Sequence, residues 1–290
     1  MTLKEKIGMV HGSGLFRNDG VERLGIPPVR MADGPMGVRQ EFHNSEWIPK
    51  NNDDDYATYL PSGSAIASSW NQDLAYRYGC VLGAEARARG KDVILAPSIN
   101  IIRSPLCGRN FEYLSEDPFL TKTLAVSMVK GIQKNDVAAC VKHFAANNQE
   151  TNRLHVDAIV SQKALQEIYF PAFKAAIKEG KALAVMGAYN KLNGEHCSQS
   201  KTLLNTVLRD NWHYDHMVIS DWSAVNDTIE AAHSGIDIEM SVTSDFDEYR
   251  LANPLIRLIE KGFVKEEVVD QKVRNILKTM FKLKMIDHLD

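Results

Sequence analysis

Met217-Val218-Ile219-Ser220-Asp221-Trp222 decides the fold. Three apolar residues run into a serine, an acid and an aromatic ring, between polar or turn-prone stretches. The pattern reads as a short buried strand that delivers Asp221 at its C-terminal end, with Trp222 beside it as an apolar wall. The ends of such strands are where α/β barrels keep their chemistry. Taken alone, the segment also has a plainer reading, an acid that caps the following helix. Recurrence weighs against that reading. Comparable apolar runs lie at 29–32, 65–67, 93–96, 137–141, 183–188 and 236–240. Most are β-branched or alanine-rich and too short for helices, as buried parallel strands are.

Helical periodicity fills many of the intervals. The 161–179 stretch has Ser161 at a cap position, apolar residues at Leu165, Ile168, Tyr169, Ala172, Phe173 and Ala176, and Gly180 as a stop. A second helix runs from Trp70 to Arg89 before Gly90, a third from Ser200 to near Trp212, and Val269, Val273, Ile276, Leu277 and Met280 mark the last. An eighth strand has to come from residues 8–16, where the pattern is weak. The expectation is a parallel α/β protein, a TIM-type (β/α)8 barrel with an irregular or missing first β/α unit, in one domain over 1–290. No glycine-rich dinucleotide loop follows an early strand, and Gly12-Ser13-Gly14 lacks the lysine and spacing of a phosphate-binding loop. Residues 40–59, with Asp53-Asp54-Asp55, read as a loop insertion whose acids are a solvated surface.

Composition narrows the function. A barrel takes ~250 residues, and the chain has 290. It is 44% hydrophobic and 24% charged, ordinary for a soluble globular protein. A net charge of −3 gives no reason to expect nucleic acid or an anionic membrane as partner. No apolar signal core or membrane-length run is present. Cys80, Cys107, Cys140 and Cys197 show no CxxC spacing, so reduced thiols in a cytoplasmic protein are expected, and a zinc site is not.

The residues after each run share a character. Asp33-Gly34-Pro35 follows 29–32, and the 93–96 run leads through Pro97 to Arg109-Asn110-Phe111-Glu112. Lys142-His143 closes 137–141, Tyr189-Asn190 closes 183–188, and Asp221-Trp222 closes 217–220. Polar, ionisable and aromatic groups gathering at one end of the sheet argue for a site. Acids, fixed cations and aromatic rings suit a carbohydrate, whose hydroxyls need charged partners and whose faces stack on rings. Arg109, Lys142 and His143 would donate to hydroxyls while nearby positive charge favours the Asp221 carboxylate. An ionised acid at an anomeric carbon is a nucleophile for a retaining glycosidase. Alternation along a strand points Lys142 and His143 to opposite faces unless the strand ends or bulges there, so one of them has a structural reading.

MADGPMGVR (31–39), LAPSINIIRSPLCGRNFEYLSEDP (95–118), CVKHFAANNQETNR (140–153), VMGAYNKLNGEHCSQS (185–200) and VISDW (218–222) resemble the N-terminal barrel domain of glycoside hydrolase family 3, near its bacterial β-glucosidases. The resemblance covers roughly the whole chain. It implies Asp221 as nucleophile and Asp33, Arg109, Lys142, His143, Arg153, Tyr189 and Trp222 as the lining of the subsite for the non-reducing sugar. Both Lys142 and His143 then face the sugar, and Arg153 is supplied by the resemblance alone. A β-glucoside or related sugar is the expected substrate, and the chemistry needs no metal or organic cofactor.

Retaining hydrolysis takes two carboxyls ~5–5.5 Å apart, a nucleophile and a general acid/base. In two-domain relatives the acid/base is a glutamate of a second α/β domain after the barrel. This sequence ends at Asp290 after its last helix, so the expectation is that the domain is absent and that a second chain or domain supplies the proton donor. Single-domain relatives carry a His–Asp pair in a KHFPGHG-type loop; KHFAANNQETNRLH lacks it, and His155 and Asp157 are not in matching positions. Glu112 and Glu116 read as holding arginines or capping a helix, Asn147 and Asn148 as turn-forming, Met186 as wall and Cys107 as packing. A non-catalytic sugar-binding or assembly module and a Schiff-base lyase using Lys142 stand as alternatives.

Overall fold

The computed structural model describes residues 1–53 and 55–286, so Asp54 of the acidic run and the last four residues lie outside the described residues. Met31–Asp33, Val93–Leu95, Ala138–Phe144, Ala184–Gly187 and Met217–Ile219 form a five-stranded parallel sheet in chain order. Parallel neighbours need crossovers. Gln72–Ala88, Pro118–Gln133, Pro171–Lys178 and Thr202–Asn211 provide them. All residues of the last four strands are buried, which explains their unbroken apolar runs.

Local chemistry sets the helix ends. Asn71 Oδ1 accepts from Leu74 N at 3.0 Å and Asp117 Oδ1 from Phe119 N at 2.8 Å, so both helices start on a side-chain cap. The 161–179 helix is interrupted. Leu165–Tyr169 is a π-helical turn, and Pro171, without an N–H, starts a new helix at its first position.

Residues 65–67 are not a strand. They lie in the helix Gly63–Ser68, whose cap Ser62 Oγ accepts from Ala65 N at 3.2 Å. Alanine is the best helix former, and a serine cap outweighed the apolar run. Residues 236–240 lie beside the sheet but join it through isolated parallel bridges, Ile238 to Ile219 and Glu239 to His11. Backbone bonds such as Ser220 N to Ile238 O at 2.9 Å and Glu239 N to Val10 O at 3.0 Å are supplemented there by side chains. Asp237 Oδ2 accepts from Val218 N at 2.7 Å, and Ser220 Oγ accepts from Met240 N at 2.8 Å.

The first unit is irregular, as expected. Helix Leu3–Val10 leads into an antiparallel hairpin of Gly12–Gly14 and Arg17–Asn18, which meets the next stave by an antiparallel Arg17–Arg30 bridge. Asn18 splices this seam, its Oδ1 accepting from Val29 N and its Nδ2 donating to Met9 O, both at 2.8 Å. The fold is therefore of the α/β, TIM-type barrel class. Its regular ladder spans five strands, and among the described residues no closed eight-stranded barrel forms.

Candidate active site

Asp221 is 5% exposed at the end of Met217–Ile219. It does not cap the next helix; Asp227 does, accepting from Ile229 N and Glu230 N at 2.8 Å. Asp221 Oδ1 accepts from Trp222 N at 2.9 Å, while among the described residues Oδ2 has no partner within hydrogen-bond geometry, the Tyr189 hydroxyl also drawing on the carboxyl. Burial pushes the carboxyl up to about 6, against the opposing pull of Arg109 and Lys142.

Lys142 and His143 reach the same site because the strand bulges. Val141 pairs with Val185 but Phe144 with Gly187, so Lys142 and His143 together oppose Met186 alone and the side-chain alternation is broken. Asn100 locks the bulge, its Oδ1 accepting from His143 N at 2.7 Å and its Nδ2 donating to His143 O at 2.9 Å. His143 Nε2 lies 2.7 Å from Arg109 Nη2 and 3.6 Å from Asp221 Oδ2. Burial, then the charges of Arg109, Lys142 and Arg153, hold the imidazole far below its usual pKa. The ring is neutral, so the Asp221 contact is no ion pair. Nε2 accepts from Arg109, which assigns the proton to Nδ1, a buried donor with no partner among the described residues.

The other expected residues close around this pair. Lys142 Nζ is 3.7 Å from Asp33 Oδ1 and 3.9 Å from Glu112 Oε2. Asp33 Oδ2 accepts from Arg39 Nη1 at 2.9 Å. The turn after Asp33 requires glycine: Gly34 has φ +133°, and a Cβ there would lie 1.6 Å from Gly37 O. Arg109 donates through Nε to Glu112; burial works against its charge, and Glu112, Tyr113 and Asp221 together more than offset it and keep the guanidinium charged. Arg153 donates to Glu150 Oε2 at 2.8 Å and stacks 4.1 Å above the Tyr189 ring. Burial and then the Asp221 charge raise the Tyr189 phenol. Trp222 donates its indole N–H to Leu15 O at 2.9 Å and packs against Phe16 at 5.2 Å between centroids.

Sequence reasoning missed Arg39 and Asn100. Arg39 sits among the rings of Phe42, Trp47 and Phe16 at 4.6, 4.9 and 5.6 Å, and nothing in local spacing marks it. Asn100 works through backbone bonds alone, which leave no compositional trace. The plainer readings hold for several neighbours. Glu112 holds Arg109, but Asn147 and Asn148 are not turn-forming: Asn147 Nδ2 donates to the Tyr113 hydroxyl and Glu150 at 3.2 Å, and Asn148 Nδ2 donates to the distant Ile101 O. Asp157 accepts from Gly194 N at 3.0 Å in a small outer sheet, and His155 is exposed, so neither is poised as a proton donor. Three further carboxyls line the cluster, Asp33, Glu112 and Glu150, and each already holds a cation. Cavities of about 670 and 370 Å3 flank the cluster, one bordered by Glu150 and the other by Asp33 and Arg39; Asp221 lines neither.

A carboxylate among fixed cations and aromatic faces, at the ends of parallel barrel strands, places the molecule with the barrel domains of glycoside hydrolases. The chain belongs to glycosyl hydrolase family 3: the family's N terminal domain matches residues 17–279. It is 46% identical to beta-glucosidase BoGH3A of Bacteroides ovatus over 98% of this chain and 39% of that protein. It is 44% identical to thermostable beta-glucosidase B of Acetivibrio thermocellus over 97% of this chain and 37% of that one. The structure superposes on beta-glucosidase 3B of Thermotoga neapolitana in complex with glucose with a TM-score of 0.90, at 42% identity, covering 98% of this chain and 42% of that one. The chain thus spans about two fifths of the length of these relatives. No described helix is long and apolar enough to cross a membrane.

Proposed function

We propose that this barrel holds the non-reducing glucose unit of a β-glucoside and supplies Asp221 as the nucleophile of a retaining glycosidase, with the general acid/base coming from a domain or chain outside 1–290. The carrying observation is the Asp221 carboxylate: Oδ1 is fixed by Trp222 N, Oδ2 is uncommitted, and Arg109 and Lys142 act on it. Asp33, Lys142, Arg109, Arg153 and the neutral His143 Nδ1–H supply charged and neutral partners for sugar hydroxyls, with Tyr189 and Trp222 as apolar walls.

In the first step Asp221 Oδ2 attacks the anomeric carbon, the C1–O bond breaks, and the aglycone oxygen takes a proton from the outside acid. Every carboxyl of the cluster besides Asp221 is engaged by a cation, which supports an external donor. Apolar side chains left exposed on loops after the strands, among them Trp47, Leu106, Phe111 and Val242, fit a surface that another domain covers. Unpaired thiols suit a cytoplasmic location. Lys142 lies between two carboxylates, the setting of a counter-ion and not of the desolvated free amine a Schiff base requires.

The test is trapping. A 2-fluoro β-glucosyl fluoride, whose leaving group needs no proton, should label Asp221, located by peptide mass spectrometry. Labelling of another residue, or of Asp221→Asn, would remove the assignment. The chain alone should hydrolyse cellobiose ~10²–10⁴-fold more slowly than it would with its acid in place, and brisk cellobiose turnover would refute the need for an outside donor.

A further inference from the structure

The one buried acid of the cluster that touches two of its cations is Glu112. It is 4% exposed and sits behind the sugar-facing groups. Oε1 accepts from Arg109 Nε, Oε2 accepts from Ser98 Oγ at 2.7 Å, and Lys142 Nζ stands 3.9 Å from Oε2. Arg109 is gripped on its Nε edge, which leaves Nη2 to donate to His143 Nε2 at 2.7 Å. The orientation of Arg109, the tautomer of His143 and the place of Lys142 therefore all depend on one carboxylate.

We propose that Glu112 is a positioning residue, whose charge holds Arg109 and Lys142 apart for the sugar and stops both from closing on Asp221. The inference rests on Asp221 as nucleophile only for its catalytic meaning. A buried and a largely buried cation without a counter-charge turn to the nearest remaining carboxylate, because an unpaired charge in a low-dielectric interior is strongly disfavoured. That carboxylate is Asp221, which both cations already act on. A nucleophile in two ion pairs has lost its free lone pair, and two cations drawn to it no longer meet hydroxyls. The groups acting on Asp221 are Arg109, Lys142, Arg153, His143, Tyr189 and Cys140, and those around Glu112 are Arg109, Lys142 and Tyr113. Of these, Arg109 and Lys142 alone are cations that touch both the site and Glu112.

The test is a carbon-13 NMR titration of the Asp221 carboxyl in the purified chain, the signal assigned by its loss in Asp221→Asn. From about 6 in the wild type, the midpoint should fall by roughly one pH unit in Glu112→Gln, as a carboxylate does on gaining a close cation. Glu112→Asp, which keeps the charge, should restore most of it. Glucose affinity, read by calorimetry, should weaken about tenfold in Glu112→Gln, the loss of one charge-assisted hydrogen bond. A folded Glu112→Gln with an unmoved or raised midpoint overturns the proposal, because a merely structural role would lower the melting temperature alone. Should Glu112→Gln fail to fold, Ser98→Ala loosens Oε2 with no change of charge. A smaller fall in the midpoint there supports the proposal, and no fall overturns it. The titration needs no turnover, so an unlabelled wild type would remove the nucleophile and leave the role of Glu112 to be decided by the midpoint.

Discussion

For Asp221 as the proposed nucleophile, reactivity and stability pull in opposite directions. Its carboxyl titrates near 3.8 in an unfolded chain and is pushed up to about 6 by burial in the folded one. Between those values the folded state binds more protons, so this group's contribution to stability falls as pH rises and is lowest above 6. The penalty at neutral pH is on the order of 1–3 kcal/mol. Asp221→Asn should therefore melt higher than the wild type at pH 7.5, with the gap closing as pH falls towards 4. A gap that stays constant with pH would contradict the account. Function is bought with that penalty, a common feature of sites that keep a charge dry. The neutral His143 follows the same logic with the opposite sign: burial and three cations keep it uncharged, so its Nδ1–H is a donor that brings no further positive charge to Asp221.

At the level of elements, the two helices outside the Val93–Leu95 and Ala138–Phe144 strands approach through glycines. A Cβ at Gly131 would lie 2.2 Å from Tyr76 O, and one at Gly79 would lie 2.3 Å from Met128 O. Alanine gains up to ~1 kcal/mol of helix propensity over glycine, but here it forces two backbones apart. Gly131→Ala should lose about 1–3 kcal/mol in urea unfolding, and a gain would show that the helices separate freely. Elements of this kind were legible where one physical rule dominates. The 217–219 strand was clear because three apolar residues buried on both faces leave no alternative. Residues 65–67 were misread because an apolar run has no period of its own, and the Ser62 cap decided the outcome. The placing of Lys142 and His143 on one face was illegible from alternation, since a bulge breaks the period without a local signature. Arg153 lies in a loop, where neither period nor burial pattern points inward.

For the molecule as a whole, stability is unevenly distributed round the sheet. The arc from Met31–Asp33 to Met217–Ile219 is a continuous ladder carrying the Lys142–His143 bulge; the remaining arc is held by isolated bridges, a few backbone bonds and the side chains of Asn18, Asp237 and Ser220. Asn18→Ala leaves Met9 O and Val29 N buried without a partner, and should cost about 2–4 kcal/mol, with a loss below about 0.5 kcal/mol contradicting its role. In native-state hydrogen exchange, amides at 10–18 and 236–240 should exchange faster than those of Ala138–Phe144. The open arc was foreseen from the weak pattern at 8–16, but its repair by side chains was not, because a buried asparagine or serine reads as an ordinary polar residue until its partners are in place.

The Trp222 indole rests on Leu15 O, inside that same irregular hairpin. Anyone trimming the chain would take residues 1–18 for an untidy leader, with no catalytic group and little regular strand. Cutting there would remove the hook from which the aromatic wall beside Asp221 hangs. New termini or fusion joints belong in the exposed turn at Lys261-Gly262, provided the glycine is kept, since its φ of +76° strains any other residue there.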